Sequence, residues 1–107
     1  MYDATKSIKT GDVWRSLWGH EQTNADFYEV VHVTKTMVTL VRLETLRLDN
    51  GDMTGTCKPT SKRTNNKHIR RKVQWFDGEP YAKLENYSMA PIARPYDGRV
   101  THYSTYA

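Results

Sequence analysis

Short runs of β-branched and aromatic residues, each closed by a Gly, Asn or Asp turn, divide this chain from residue 11 onward. That punctuation leaves little room for anything but strands. Gly11-Asp12 leads into a first strand, Val13–Trp18. A polar connector, 19–26, then separates Trp14 and Trp18 from Phe27, Tyr28 and the valines Val30, Val31 and Val33, which form a second strand over 27–34. Lys35-Thr36 makes a tight break before the longest apolar segment, 37–48. Its Leu43, Leu46 and Leu48 alternate with charge in a way that a helix could also accommodate. The β-branched start and the position directly after a strand favour a strand. Asp49-Asn50-Gly51 is a hairpin signal, because Asn and Gly tolerate the positive φ of the primed turns. Residues 53–57 are the expected return.

The second half follows the same grammar. Residues 59–66 (PTSKRTNN) read as a flexible polar loop, and 68–76 as a strand carrying Ile69, Val73 and Trp75. Asp77-Gly78 closes a turn, and 81–87 returns with period-two character. Pro91 and Pro95 assign 89–96 to an edge or a loop, since proline cannot donate to a ladder. Asp97-Gly98 is a further hairpin signal before 100–106. Residues 1–10, polar with one isoleucine, are expected to be flexible. No stretch combines helical periodicity, an N-cap and adequate length, and there is no internal repeat or linker. The expectation is one domain over 1–107, mainly β: a small antiparallel SH3-like barrel or sandwich with a long basic loop.

Composition sharpens this. Apolar residues make up 37%, below the usual ~45–50%, so the core must be compact and aromatic. Seven tyrosines and three tryptophans suit that role, because each ring buries a large area and keeps a polar tip wet. Most of Trp14, Trp18, Phe27, Tyr28, Trp75 and Tyr87 are therefore expected inside, with one or two left as stacking platforms. The single cysteine, Cys57, has no intramolecular disulfide partner, which points to a reducing compartment. With no basic-then-apolar leader and no long apolar run, a soluble cytoplasmic protein without a membrane span is expected.

The net charge of +4 is uneven. Residues 58–72 contain Lys58, Lys62, Arg63, Lys67, Arg70, Arg71 and Lys72 with no acid, a balance of +7. Residues 1–57 hold six basic against eight acidic residues, and 73–107 three against four. All of the excess is local, as expected for a phosphate-binding or acidic-partner surface. On a strand, Arg70-Arg71-Lys72 would project to both faces, so that at most two share one surface. Asn65 and Asn66 could add hydrogen bonds to phosphates or base edges. The plainer alternative is a solvated loop that keeps the protein soluble.

Trp18-Gly19, Gln22-Thr23-Asn24, Asp26-Phe27-Tyr28 and Val30-Val31 resemble a pattern recurring in uncharacterised bacteriophage and prophage proteins, and the resemblance extends to anti-CRISPR-type inhibitors. Met53 to Gly55 and Tyr96 to Gly98 resemble it further on. His20 and Glu21 depart from that pattern, which has an aromatic and an Asp at those positions. The resemblance implies phage origin and action in the cytoplasm of a bacterial host, and it brings no activity with it.

Other chemistry is sparsely supported. His20, His32, Cys57, His68 and His102 include ligand types for a zinc site, yet none has metal-ligand spacing. Cys57 and a histidine form the ingredients of a nucleophile–base pair, with nothing that places them together. There is no phosphate-cradling glycine loop and no spaced carboxylate pair, so an enzyme is not expected. Asn24 and Asp26 suit turn-fixing bonds to nearby backbone amides. The leading expectation is a non-enzymatic protein that inhibits a host nucleic-acid-targeting defence nucleoprotein, such as a Cas9-type RNA-guided nuclease, through its basic segment. The alternatives are direct DNA or RNA binding in the phage cycle, and a small zinc protein.

Overall fold

The computed structural model describes residues 3–18, 24–49, 54–64, 67–85, 90–98 and 101–104. Its elements are α1 (Ala4–Ser7), β1 (Val13–Trp18), β2 (Asn24–Val33), β3 (Met37–Asp49), β4 (Thr54–Arg63), β5 (Ile69–Lys72), β6 (Gln74–Phe76), β7 (Glu79–Lys83), β8 (Ile92–Pro95) and β9 (Thr101–Ser104). The pairing is antiparallel throughout. Eight strands follow the order β6-β7-β8-β1-β2-β3-β4-β9, and β5 pairs with β3. The mainly β, barrel-like expectation holds.

β3 is the spine. Its thirteen residues extend roughly 43 Å at ~3.3 Å per residue, close to the 46 Å long axis of the molecule. One edge pairs with β2 from Val33↔Val38 to Phe27↔Leu43, with the register shifted between Val30 and His32. The other edge serves two partners in succession. Met37 to Leu40 take β5, and Leu43 to Asp49 take β4.

Strand alternation sends side chains of the β2–β3 ladder to both faces, and both faces are covered. Tyr28, Val30, Val38 and Leu40 point inward and pack with Trp14, Val73, Ala82, Leu84 and Ala93. The alternate residues Ala25, Phe27 and Leu43 point outward and meet Cys57, with Val13 and Tyr96 against them. Residues 25–28 are consequently buried without a break, a pattern that a strand with one wet face does not give.

The sheet curls around the inner core at Val73. This residue alone separates β5 from β6; it is buried, and its amide donates to the Thr36 carbonyl at 2.8 Å. β5 stays with β3 while β6 departs to β7. The result is barrel-like without a continuous closing ladder. Asp77 and Gly78 turn the β6–β7 hairpin with φ of 52° and 80°, as a two-residue primed turn requires.

Four expectations are corrected. The N-terminal segment is anchored: Asp3 caps α1 by accepting from the Thr5 amide at 3.0 Å, and the Ala4 amide donates to the Lys35 carbonyl at 3.0 Å. Ala4 and Ile8 are fully buried in the inner core, so the short helix closes one end of the curled sheet. The supposed loop over 59–66 is largely strand. On the edge of β3 away from β2, β5 pairs only as far as Leu40, and the rest of that edge is taken by β4, from Leu43↔Arg63 to Asp49↔Gly55. Pro59 is accommodated beside a register shift, where Thr60 donates its hydroxyl to the Glu44 carbonyl at 3.0 Å. β8 is no edge but lies between β7 and β1, with Pro95 at its last position. Asp97-Gly98 does not join a hairpin, since β8 pairs with β7 and β1 whereas β9 pairs with β4. The Asp49-Asn50-Gly51 turn lies mostly outside the described residues; the strands it joins are paired up to Asp49↔Gly55.

Ile8→Ala tests the anchored end. It should cost about 2–5 kcal/mol of unfolding free energy, as deletion of buried methyl groups does, in urea unfolding followed by tryptophan fluorescence. A truly frayed end would leave stability unchanged.

Candidate polyanion interface

The pleat distributes the seven cations of the basic run. Arg70 lies opposite Thr39 and Lys72 opposite Met37, on the outer face of β3 and β5. His32 of β2 flanks Thr39 from the other side. His32, Thr39 and Arg70 thus form one row across three strands, roughly 10 Å wide at ~4.8 Å per strand. His32, Arg70 and Lys72 are exposed. Arg71 lies opposite Val38 and turns the other way. Its guanidinium donates to the Leu84 carbonyl through Nε and Nη2 at 3.3 and 3.0 Å, and to the Arg70 carbonyl at 2.9 Å. Arg71 therefore ties β5 to the segment after β7 rather than facing a partner.

The remaining cations disperse further. Arg63 stands on the same outer face as Arg70, opposite Leu43, and its Nε donates to Glu29 at 3.1 Å. The pair is partly exposed, so its Coulomb energy is small; its effect is to neutralise one cation at the border between the polar row and the outer core. Lys58 lies opposite Leu46 on the other face of the β3–β4 arm. Lys62 reaches Glu44 at 3.9 Å, with both groups well exposed. Lys67 and His68 are exposed on the connector before β5, and Asn65 and Asn66 lie outside the described residues. A run that is contiguous in sequence thus becomes a compact outer cluster of Arg70 and Lys72 beside His32, with other cations paired or directed elsewhere. His32 and Thr39 were not legible as neighbours of the run, since only the ladder register unites them.

Asp26 accepts from Arg42 Nη2 at 2.8 Å. The carboxylate is largely buried and the guanidinium half exposed, and the bond ties β2 to β3. Burial, followed by the Asp26 charge, pushes the Tyr28 phenol above its ordinary value. His20, Gln22 and Thr23 lie outside the described residues.

The metal candidates that can be placed do not converge. His32 is on β2, His68 is on the connector, and Cys57 is in the outer core on β4. Among the described residues no group of three or more His, Cys, Asp or Glu could hold a metal ion. Burial raises the Cys57 thiol above its ordinary value of 9.0, against the opposing pull of Arg47 and Arg15. A thiolate is disfavoured there, which is the wrong direction for a nucleophile. Among the described residues no helix is long and apolar enough to cross a membrane.

Comparison with protein-family models, with curated proteins and with solved structures finds no match.

The thiol has a measurable consequence. A group whose folded pKa is raised adds stability below its unfolded pKa, and that stability is lost as pH rises through the folded value. Unfolding free energy should therefore decline above about pH 9, and Cys57→Ala should remove that part of the decline. An aromatic disulfide reagent at pH 8 should label the folded protein at least about tenfold more slowly than the urea-unfolded chain. Equal rates would contradict the burial of Cys57.

Proposed function

We propose that this protein is a phage-type, non-enzymatic inhibitor that occupies an anionic surface of a host nucleic-acid-targeting effector, acting in the bacterial cytoplasm. The observation that carries the reading is the exposed pair Arg70 and Lys72, set side by side on the outer face of β5 with His32 and Thr39 next to them. The resemblance of residues 18–31 to phage proteins supplies the biological setting. The raised thiol argues against Cys57 as a nucleophile.

The count of cations favours an effector over free nucleic acid. Seven phosphate contacts would give a salt dependence with log–log slope of about −6, and two or three would give about −2 to −3. The smaller number holds nucleic acid weakly by itself. It suffices where a protein partner supplies further contact area and the cations complement guide RNA or acidic side chains. RNA-guided nucleases of the CRISPR type are the first effectors to test.

The test compares Arg70→Glu/Lys72→Glu with Lys58→Glu/Lys62→Glu in affinity capture from host lysate, with and without nuclease, and in a target-DNA cleavage assay. Capture and inhibition should fall at least about tenfold for the first pair, as for loss of charge-assisted bonds, and change little for the second. Absence of binding and inhibition across a panel of effectors would end this reading. Tight binding to naked DNA or RNA with a slope near −6 would transfer the function to nucleic acid itself.

A further inference from the structure

The seam between β1 and β8 opens into a groove of about 700 Å³. The ladder there is two pairs long among the described residues, Trp14↔Pro95 and Arg15↔Arg94, and it does not continue to Leu17 and Ile92. Directly paired residues share a face, so Arg15 and Arg94 stand side by side on the outer surface with Leu17 two residues further along β1. Leu17 is 49% exposed. Leu17, Ile92, Pro80, Pro95 and Tyr96 line the groove together with four charged residues, Arg15, Arg94, Glu79 and Asp97.

Like charges directly opposite one another weaken a ladder. Arg94 is exposed and makes no hydrogen bond or ion pair among the described residues. The Arg15 guanidinium lies 5.6 Å from the centre of the Tyr96 ring. That ring is fixed in turn by an edge-on contact with Phe27 in the outer core, at 5.1 Å and 72°. The Tyr96 amide donates to the Val13 carbonyl at 2.9 Å. One cation is thus pre-positioned by aromatic packing, and the other stands beside it without a bond among the described residues.

We infer that this groove docks an extended segment of a protein partner, seating one carboxylate between Arg15 and Arg94 and an aliphatic or aromatic side chain on Leu17 and Ile92. Charge complementarity selects the occupant. Two adjacent guanidiniums match a carboxylate in bidentate fashion. Glu79 and Asp97 also line the groove, and they would repel a continuous phosphate chain running through it. A peptide with a single acid flanked by apolar residues can meet the two cations without carrying a run of negative charge along the acidic lining. This surface is separate from the Arg70–Lys72 cluster, and the inference does not depend on the inhibitor reading.

Amide chemical-shift mapping on the intact protein tests it with three probes. These are a pooled library of capped hexapeptides with one fixed glutamate among aliphatic and aromatic residues, the same pool with glutamine, and oligothymidylate. The glutamate pool should shift the amides of Arg15, Leu17, Ile92 and Arg94 and leave Arg70 and Lys72 unmoved. The glutamine pool should need about tenfold more peptide for the same shift. Arg94→Glu should abolish the response, Arg94→Gln should weaken it, and Arg70→Glu should retain it, each variant keeping the wild-type spectral dispersion. No shift with either pool, equal shifts with both, or shifts at these amides with oligothymidylate alone would overturn the inference.

Discussion

The ladder between β2 and β3 is the contact on which the rest of the molecule depends. A strand pair normally buries one face and wets the other; here Tyr28, Val30, Val38 and Leu40 fill the inner core while Ala25, Phe27 and Leu43 fill the outer one. With an apolar fraction of only 37%, a chain of this length gains from using the same backbone hydrogen bonds under two cores. The cost is paid in register. A slip of one residue would exchange the two sets and leave neither core packed, so the bulge between Val30 and His32 must be held where it is. Asp12 helps to hold it: the Val30 amide donates to the Asp12 carbonyl and Gly11 donates to the Val30 carbonyl, both at 2.8 Å.

Both candidate surfaces derive from this ladder. His32, Thr39 and Arg70 line up because the shifted register of β2 and the pairing of β5 meet on the same residue of β3. Arg15 is poised at the β1–β8 seam because Tyr96 beneath it rests on Phe27, the outward residue at the middle of β2. The border between the two regions of the outer face is the Glu29–Arg63 pair. An outer core at the centre thus carries a cationic row toward β5 and an arginine-lined groove toward β8.

Much of the fold was legible because its signals are local. β-branched runs and the Lys35-Thr36 break fix β1, β2 and β3 to within three residues, and Asp77-Gly78 fixes the turn between β6 and β7, while the single strand expected over 68–76 is divided at Val73 into β5 and β6. What escaped was what depends on distant partners. Residues 59–63 look like a loop by composition and become strand because β5 covers its edge of β3 only to Leu40 and leaves the remainder to pair. Ala4 and Ile8 carry no periodic signal, yet they cap the inner core. Prolines 91 and 95 rightly forbid a long central strand, but the four residues of β8 need only two pairs on each side. The basic run was legible as charge, and its division between faces followed from strand alternation. Its pairing with Glu29 and Glu44 and the bonds of Arg71 to the Leu84 carbonyl were not, since those groups come from elsewhere in the chain. The Arg15–Arg94 pair had no sequence signal at all, because it requires β8 to lie beside β1.

Native-state hydrogen exchange at increasing denaturant tests the double-sided ladder most directly. The amides of β2 and β3 that pair across it, Tyr28 and Leu40 through Leu43 among them, should exchange only by global unfolding. Those of β9 and of the β6–β7 hairpin should open earlier, through smaller sub-global steps. Protection in β2 and β3 no higher than in β6 and β7 would contradict the claim that one ladder supports both cores.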